Sequence, residues 1–327
     1  MRVLVTGSNG YVGSKLIPTL IGTGHQIKCI DLPPRPIHSG LLPVSYLENK
    51  LEYLGDIREI GAVKIALSKC DAVIHLACLS NDPTAEQDPA LTKSINLDSF
   101  LPLVNAAKEA GVKRFIYASS SSVYGIKDTK DVTEDLSLEP LTDYSKYKAM
   151  CETILLENKG DMEAVIVRPA TICGWSPNMR LDLLVHILTR DAVTKGVINV
   201  HGGHQYRPNI HIDDMVDCYL RLLEAPAELV GGQIFNAGYK NLTILETAEL
   251  VKSIVGNVNI VATESTDPRS YHVNSDKIKR VLGFEPKRTV ESAIEDVAKA
   301  FSDGRIINSD DDKYYRNRSI KKMGLVA

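Results

Sequence analysis

The chain has 327 residues, enough for one large α/β domain or two smaller ones around a substantial core. Its formal net charge of −3 arises from charges of mixed sign, so we expect no nucleic-acid partner. No apolar run approaches the ~20 residues that span a bilayer and no signal-peptide pattern is present, which predicts a cytoplasmic protein with no membrane partner. The six cysteines are scattered without a CxxC pair, as is typical of reduced thiols, and we expect no metal.

A glycine-rich turn follows the first apolar run. Residues 3–5 predict a short buried parallel strand, and the apolar periodicity that resumes at Val12 predicts a helix. Three glycines lie between them with GxxGxxG spacing, suited in turn to a tight bend, the close approach of a pyrophosphate, and close helix–strand contact. The helix would direct N–H groups and its positive end at the anion. The alternative is a plain strand–helix turn. If the loop binds a dinucleotide, the residues that contact the cofactor are Gly7, Gly10, Tyr11, Val12 and Gly13.

A second apolar run, residues 27–30, ends in Asp31. The distance from the glycine loop is the one at which a Rossmann unit places an acid on the adenosine ribose. A carboxylate there accepts hydrogen bonds from both ribose hydroxyls and repels a 2′-phosphate, which favours NAD over NADP. Arg35, which could accommodate that phosphate, keeps NADP open, and an acid that only caps a turn is the structural alternative.

Residues 72–77 predict a further strand, followed by a polar loop over residues 78–88. Leu76 and the small Ala77 stand at the strand end, where a cofactor could lie against them, and ligands of such sheets bind at this edge. His75, which has apolar neighbours, is interpreted as a satisfied core histidine.

A serine cluster and a Tyr-x-x-x-Lys pattern follow. Residues 115–118 predict a strand that runs into the serines, and Tyr144 stands 24 residues past Ser120. A helix places Tyr144 and Lys148 on one face because they are four residues apart. Taken alone, these could be a polar strand–loop junction and an exposed helical pair.

Together these motifs have the order and spacing of one family. Over roughly residues 1–300 the chain resembles extended short-chain dehydrogenase/reductases of the NAD-dependent epimerase/dehydratase family, which act mostly on nucleotide sugars. The resemblance implies an α/β fold in which a doubly wound parallel Rossmann sheet binds NAD and a smaller C-terminal domain binds substrate. It rests on Thr6-Gly7, Gly10, Gly13, Asp31, Asp56, Asn96, a serine strand ending in Val-Tyr-Gly, Tyr144 and Lys148.

The resemblance assigns further roles in the cofactor site. An Asp followed by an aliphatic residue, here Asp56-Ile57, hydrogen-bonds the adenine amino group. Asn96, which is expected to begin a helix, orients the catalytic lysine through its backbone and a water molecule. The catalytic triad is Ser120, Tyr144 and Lys148.

The resemblance also implies an assembly and a division of the chain. Family members pair two helices of each subunit into a four-helix bundle, so we expect a homodimer through helices near residues 98–111 and 145–157. The remaining assignments are an NAD-binding domain of residues 1–170 with 211–255, a substrate-binding domain of residues 171–210 with 256–302, and a loosely packed polar tail of residues 303–327.

The chemistry of the triad can be argued from physical principles. A hydride that leaves a C–O–H carbon requires the hydroxyl proton to leave too, yet a tyrosine with a reference pKa of ~10 is a poor base at pH 7. The positive charges of Lys148 and of a nicotinamide ring would lower the pKa of Tyr144. Ser120 would hydrogen-bond the same substrate oxygen and fix its distance.

The residues after Ser120 narrow the reaction. In the family, 4,6-dehydratases carry Asp-Glu at the next two positions, decarboxylating members a glutamate at the second, and some C3 or C5 epimerases a cysteine. Here Ser121 and Ser122 offer no strong acid or base, which predicts redox chemistry only. Epimerisation at C4 through a keto sugar, net C4 oxidation and net reduction of a keto sugar stay open, and a non-catalytic NAD-binding protein is the alternative from another class.

Five residues are assigned to a nucleotide-diphosphate sugar. Thr171 replaces an asparagine that in the family commonly contacts the substrate, and Ser121 follows the catalytic serine. Arg180 is available for a phosphate or is simply solvated. Arg207 and Arg269 resemble the family's diphosphate-binding arginines, with surface salt bridges as the alternative.

Overall fold

A computed structural model describes residues 1–32, 50–264 and 269–322. Its strands are β1 Arg2–Thr6, β2 Gln26–Asp31, β3 Lys50–Leu54, β4 Ala72–His75, β5 Arg114–Ala118, β6 Glu163–Pro169, β7 Thr171–Cys173, β8 Val197–His201, β9 Tyr206–His211, β10 Gln233–Ala237, β11 Lys240–Thr243 and β12 Asn259–Thr263. Its α-helices are α1 Gly13–Gly22, α2 Ile60–Leu67, α3 Asp82–Ala85, α4 Pro89–Lys93, α5 Phe100–Glu109, α6 Asp143–Asn158, α7 Leu184–Lys195, α8 Ile212–Glu224, α9 Ala227–Val230, α10 Ile244–Val255, α11 Asp276–Leu282, α12 Val290–Ser302 and α13 Arg316–Lys322. A π-helix spans Ser94–Asp98, and 3₁₀ turns span Ser121–Tyr124 and Asp312–Tyr314.

Seven parallel strands form the main sheet, in the order β10-β6-β5-β4-β1-β2-β3. The interior strand β1 is buried on both faces, as its unbroken apolar run predicts. Val3 and Val5 pack in the core that contains α1 and α8, and Leu4 packs in the core that contains α2 and α5, because successive side chains alternate between faces. The predicted doubly wound α/β fold is confirmed.

The strand order reverses beside β1. Strands β2 and β3 extend the sheet on one side, and β4, β5 and β6 extend it on the other. At such a reversal a crevice opens at the carboxyl ends of the strands. The glycine turn after β1, the polar loop after β4 and the serines after β5 all lie at this edge.

A smaller group of elements packs beyond the sheet. Strand β9 lies between β7 and β11, β8 pairs with β12, and helices α7, α10 and α12 share one apolar core. Of the residues 211–255 that the sequence assigns to the larger domain, α8 and β10 pack there. Helix α10 instead contacts α7 and α12 through its buried face.

Residues 306–319 include several buried side chains, contrary to the loose tail expected from the polarity of this stretch. Tyr314 and Tyr315 are buried in a cluster with Tyr11 and Leu181. The Leu181 amide donates to the Tyr314 carbonyl at 2.9 Å. Two buried aromatic side chains in a polar stretch therefore contribute to docking this segment.

Within the described ranges, no helix combines the length and apolar character that a bilayer crossing requires. The six cysteines are unpaired; five are buried, and Cys78 is partly exposed.

Two buried histidines give the fold a pH dependence. His75 contacts Thr6 Oγ1 through Nδ1 at 2.7 Å, which confirms it as a satisfied core histidine, and His186 accepts the Gly174 amide at 3.0 Å. Burial lowers the pKa of His75 to about 3 and that of His186 to about 4.

We therefore expect the free energy of unfolding to fall as the pH drops below about 6.5. The unfolded chain protonates both imidazoles there while the folded chain keeps them neutral. Between pH 7.5 and 5.5 the loss should be about 3 kcal/mol for the pair, measured by denaturant unfolding at each pH. A stability that is flat across this range would contradict this, and replacement of the exposed His204 by glutamine should leave the slope unchanged.

Candidate active site

The glycine turn after β1 is a cradle that side chains would fill. Gly7 has φ +70°, and a Cβ on it would lie 2.7 Å from the Ala77 amide nitrogen. A Cβ on Gly13 would lie 2.4 Å from the Gly7 carbonyl oxygen. The tight bend at the first glycine and the close helix–strand contact at the third, both predicted from the spacing, are thus present.

Replacing Gly13 with alanine should weaken NAD binding about 10- to 100-fold, because the turn must shift to admit the methyl group. Calorimetric titration with NAD and the amount of cofactor that co-purifies measure this. The matched control is Gly22→Ala at the other end of α1, where a Cβ meets nothing within 4 Å. Equal NAD affinity for the two folded variants would contradict the assignment.

Two carboxylates mark the adenosine end. Asp31 accepts the Asn9 amide at 2.7 Å and the Leu32 amide at 2.8 Å, so its side chain is held beside the glycine turn. Burial alone would raise the pKa of Asp56, but hydrogen bonds and charge from Arg58 lower it below its ordinary value. Both carboxylates line the cleft at the strand ends. Arg35, whose side chain could accommodate the 2′-phosphate of NADP, lies outside the described residues.

One cleft of about 360 Å³, within the range of small-molecule sites, brings together most of the predicted residues. Those that line it are Gly7, Gly10, Tyr11, Val12, Gly13, Asp31, Asp56, Ile57, Leu76, Ala77, Ser120, Ser121, Tyr144, Lys148, Thr171 and Arg180. Asn96, Arg207 and Arg269 do not line it.

Two residues assigned to the cofactor make other contacts. The Tyr11 hydroxyl donates to the Gly174 carbonyl at 2.6 Å and so ties the glycine turn to the loop after β7. The Asn96 side chain, inside the π-helix, bonds both backbone groups of Leu79, and its carbonyl accepts the Cys151 thiol on α6 at 3.2 Å. Asn96 thus fixes the loop after β4 against the helix of the triad.

Ser120 lies two residues after β5, at the start of the 3₁₀ turn, and Tyr144 and Lys148 lie on α6. Helix α6 begins with a capping box between Thr142 and Ser145, which fixes the first turn that carries Tyr144. Lys148 is buried, donates to the Ala118 carbonyl at 2.6 Å, and has its Nζ 5.8 Å from the Tyr144 ring centroid. Ser120 Oγ lies 2.8 Å from Ser122 Oγ.

The pKa of Tyr144 lies well above its ordinary value in the protein alone. Burial is the largest cause, and the nearby groups of Cys78 and Asp82 add to it. Ser120 and the charge of Arg180 act in the opposite direction but do not prevail. The prediction that Lys148 and the nicotinamide ring together lower this pKa concerns the complex with NAD and stays a prediction. The sequence shows the neighbouring charge of Lys148 but not the burial that raises the pKa of Tyr144 in the protein alone.

A buried ion pair supports residues 119–124, the segment that carries Ser120. Arg168 binds Glu152 through Nε–Oε1 at 3.0 Å and Nη2–Oε2 at 2.6 Å, and both side chains are under 5% exposed. Glu152 also accepts the Ser119 hydroxyl at 2.5 Å, and Arg168 donates to the Tyr124 hydroxyl at 2.7 Å. The pair therefore holds both ends of the segment that carries Ser120.

The arginines assigned to substrate fall into two places. Arg180 lines the cleft, and its Nη1 donates to Ser80 Oγ at 2.7 Å. Arg207 donates to the Arg269 carbonyl, and Arg269 Nη1 pairs with Asp82 at 2.6 Å. Because Asp82 lines the cleft, Arg207 and Arg269 adjoin its edge together.

Comparison with known proteins gives the family. The sequence profile of the NAD dependent epimerase/dehydratase family matches residues 3–238. The chain belongs to this family. It is 28% identical to the UDP-glucose 4-epimerase of Lactobacillus helveticus, over 88% of this chain and 92% of that protein. It is also 28% identical to UDP-glucuronic acid decarboxylase 1 of Arabidopsis thaliana, over 96% of this chain and 72% of that protein.

A solved structure of UDP-glucuronic acid 4-epimerase from Bacillus cereus shares the fold. Its TM-score is 0.81 at 24% identity, with coverage of 93% of this chain and 99% of that chain. That structure holds UDP-glucuronic acid and NAD. As in the NAD-dependent epimerase/dehydratase family generally, the cofactor of this chain is NAD. The cradle free of Cβ atoms and the acid at Asp31 fit it.

Several residues that line the cleft of this family member were not predicted from the sequence, including Cys78, Ser80, Asp82 and Arg316. Asp82 and Cys78 come from the loop after β4, Ser80 lies between them, and Arg316 comes from α13. The polar loop was a signal for the first three, since it sits at a ligand-binding edge. Nothing local signals Arg316, because the fold brings it there from the last helix of the described residues.

Among the residues that the structure describes, one group of possible metal ligands lies outside the cleft lining. His211, Asp213 and Asp296 place their ligand atoms within 4.8 Å of one another. Asp213 already pairs with Lys15 at 3.0 Å, and His211 accepts the Asp213 amide as the cap of α8. These contacts account for the group as a structural feature.

Proposed function

We propose that the chain is an NAD-dependent nucleotide-sugar C4 epimerase that works through a 4-keto sugar. The observation that carries this is the placement of Ser120, Tyr144 and Lys148 in the cleft that holds the glycine cradle. Residues on the larger sheet bind NAD, and the smaller group of elements contributes the substrate side. A net C4 dehydrogenase or 4-keto-sugar reductase is the alternative, and a non-catalytic NAD-binding protein is the reading from another class.

Each triad residue has a defined task in the proposed reaction. NAD, when bound, supplies the acceptor for the hydride that leaves C4 of the sugar. Tyr144 takes the proton of the C4 hydroxyl, and Ser120 hydrogen-bonds the same oxygen. Because burial raises the pKa of Tyr144, the phenolate depends on the positive charges that surround it in the complex.

The carboxylates near the triad are engaged in ways that favour redox chemistry over elimination. Ser122 stands near Ser120, where other members carry an acid. Asp82 binds Arg269 and accepts the Thr142 hydroxyl at 2.6 Å. Glu152 is locked to Arg168 beneath the cleft. Among the described residues at the triad, no free carboxylate is poised to remove a second proton from the sugar.

The substrate we propose is a UDP-sugar. Arg207 and Arg269 lie together at the cleft edge, and their guanidinium groups suit a diphosphate. The L. helveticus and A. thaliana relatives are both named for UDP-sugars, and the former is a 4-epimerase. This combination favours epimerisation over net oxidation.

Incubating the NAD-loaded protein with UDP-glucose, UDP-galactose and UDP-glucuronate tests the proposal. Product of unchanged mass but altered chromatography means epimerisation. A loss of two hydrogens, with reduced nicotinamide accumulating, means dehydrogenation and supports the alternative. If neither change occurs with these or with GDP-, CDP- and dTDP-sugars, the enzymatic proposal fails.

We also propose a cytoplasmic homodimer that pairs helices α5 and α6. Leu101 on α5 and Met150 on α6 are exposed apolar residues, 39% and 48% accessible, on the two helices named from the resemblance. The unpaired cysteines fit a reducing compartment. Light scattering at micromolar concentration should give a dimer, and Met150→Glu should give a monomer. A wild-type protein that is monomeric at this concentration would contradict the proposed dimer.

A further inference from the structure

Arg180 has one nitrogen without a partner in the part of the chain that the structure describes. Its Nε donates to Asp182 at 2.8 Å and its Nη1 to Ser80 at 2.7 Å, but its Nη2 makes no hydrogen bond there. The residue is only 6% exposed. Because a buried charged donor is costly to leave unpaired, this atom calls for an acceptor from a ligand.

The unpaired donor belongs to the substrate end of the cleft. Arg180 lines the cleft together with Tyr144 and donates to Ser80. Two residues after Ser80, Asp82 accepts the hydroxyl of Thr142, the N-cap of the helix that carries Tyr144, so Arg180 lies on the Tyr144 side of the cleft. The adenosine end, marked by Asp31 and Asp56, lies at the same carboxyl edge of the sheet but on the other side of β1, beyond β2 and β3. The missing acceptor is therefore an oxygen of the substrate that occupies the cleft beside Tyr144.

Asp182 fixes the direction of Arg180. Its Oδ1 accepts Arg180 Nε, and its Oδ2 accepts the backbone amide of Arg316 at 2.9 Å. Burial alone would raise the pKa of Asp182, but the charge and hydrogen bond of Arg180 and the Arg316 amide lower it. The carboxylate thus bridges the cleft loop and the C-terminal segment.

The C-terminal segment, residues 309–319, is anchored by its own contacts. The Tyr315 hydroxyl donates to the Ser309 carbonyl at 2.7 Å and accepts Arg190 Nη1 at 2.8 Å. Tyr314 accepts the Leu181 amide, one residue from both Arg180 and Asp182. Arg316 itself lines the cleft. The segment therefore forms a wall of the substrate end.

We propose that Asp182, held by the C-terminal segment, is a positioning residue that aims Arg180 at an anionic oxygen of the nucleotide sugar. The inference rests on the proposed function and deepens it, because it assigns the segment to substrate binding and not to cofactor binding. The anionic oxygen belongs either to the diphosphate or to a carboxylate on the sugar. The charge-assisted fork of Arg180 suits both.

Asp182→Asn should raise the KM for the nucleotide sugar about tenfold while changing kcat and bound NAD little. The matched control is Asp303→Asn, which removes the charge from another Asp–Arg pair two residues apart, outside the cleft lining. A purely structural role of Asp182 would lower kcat, NAD occupancy and stability together. If Asp182→Asn is too unstable to purify, Tyr315→Phe loosens the segment by removing one hydroxyl and should raise KM severalfold.

Calorimetric titration with UDP, UDP-glucose and UDP-glucuronate separates the two sources of the oxygen. Weaker binding of all three by Asp182→Asn identifies the diphosphate, and weaker binding of UDP-glucuronate alone identifies a sugar carboxylate. Amides of residues 309–319 should also exchange more slowly when the wild type binds the nucleotide. If the wild type and the folded variants bind these nucleotides with equal affinity, the inference about Asp182 fails while the proposed function stands. A wild type that binds none of the three, together with failure of the sugar panel, overturns it along with the proposed function.

Discussion

Tyr144→Phe should lower kcat about a thousandfold while the protein keeps its NAD. The variant loses only the hydroxyl that takes the proton of the sugar hydroxyl, and its ring still fills the same place on α6. Steady-state turnover with the sugar that reacts in the panel, and cofactor content by absorbance, measure the two effects.

The matched control is Tyr147→Phe, which changes a tyrosine three residues further along α6. Tyr147 is partly buried against the apolar core and does not line the cleft. Its variant should turn over at nearly the wild-type rate. Turnover that is equal in Tyr144→Phe and Tyr147→Phe would exclude Tyr144 as the catalytic base.

Arg168→Met should destabilise the fold by about 3–5 kcal/mol, because it leaves the Glu152 carboxylate buried without its partner. Denaturant unfolding of the NAD-free protein measures the loss. Turnover should fall as well, since Glu152 and Arg168 hold Ser119 and Tyr124 on either side of the catalytic serine.

A second substitution separates the charge from the packing. Adding Glu152→Gln to Arg168→Met removes the stranded charge and should recover about half of the lost stability. Lys64→Met breaks an exposed pair with Glu109 on the surface and should change stability little. If Arg168→Met behaves like Lys64→Met, the buried pair does not support the site.

The cofactor half of the site could be predicted because its signals are local. The glycine turn, Asp31 and the Tyr144–Lys148 pair each depend on spacing within one strand–turn–helix or one helix. The same holds for β1, whose three-residue apolar run identified a strand buried on both faces. Periodicity and turn chemistry are sufficient where the partners are neighbours in sequence.

The substrate half depends on contacts between distant parts of the chain. Arg180 reaches Ser80 across 100 residues, and Arg316 reaches Asp182 across 134. No pattern within one segment encodes such pairs, so Asp182 and Arg316 were not predicted, and the polar tail was expected to be loose. The raised pKa of Tyr144 was not predicted for a related reason, because burial is a property of the whole fold.

The central claim is that hydride and proton leave C4 of a sugar together beside Tyr144. Its most direct test follows a nucleotide sugar deuterated at C4 through conversion by the NAD-loaded protein. The account predicts that the epimerised product keeps the deuterium at C4, with reduced nicotinamide seen transiently by absorbance. Product formed with its deuterium exchanged into water would contradict it, because the C4 hydrogen would then have left as a proton.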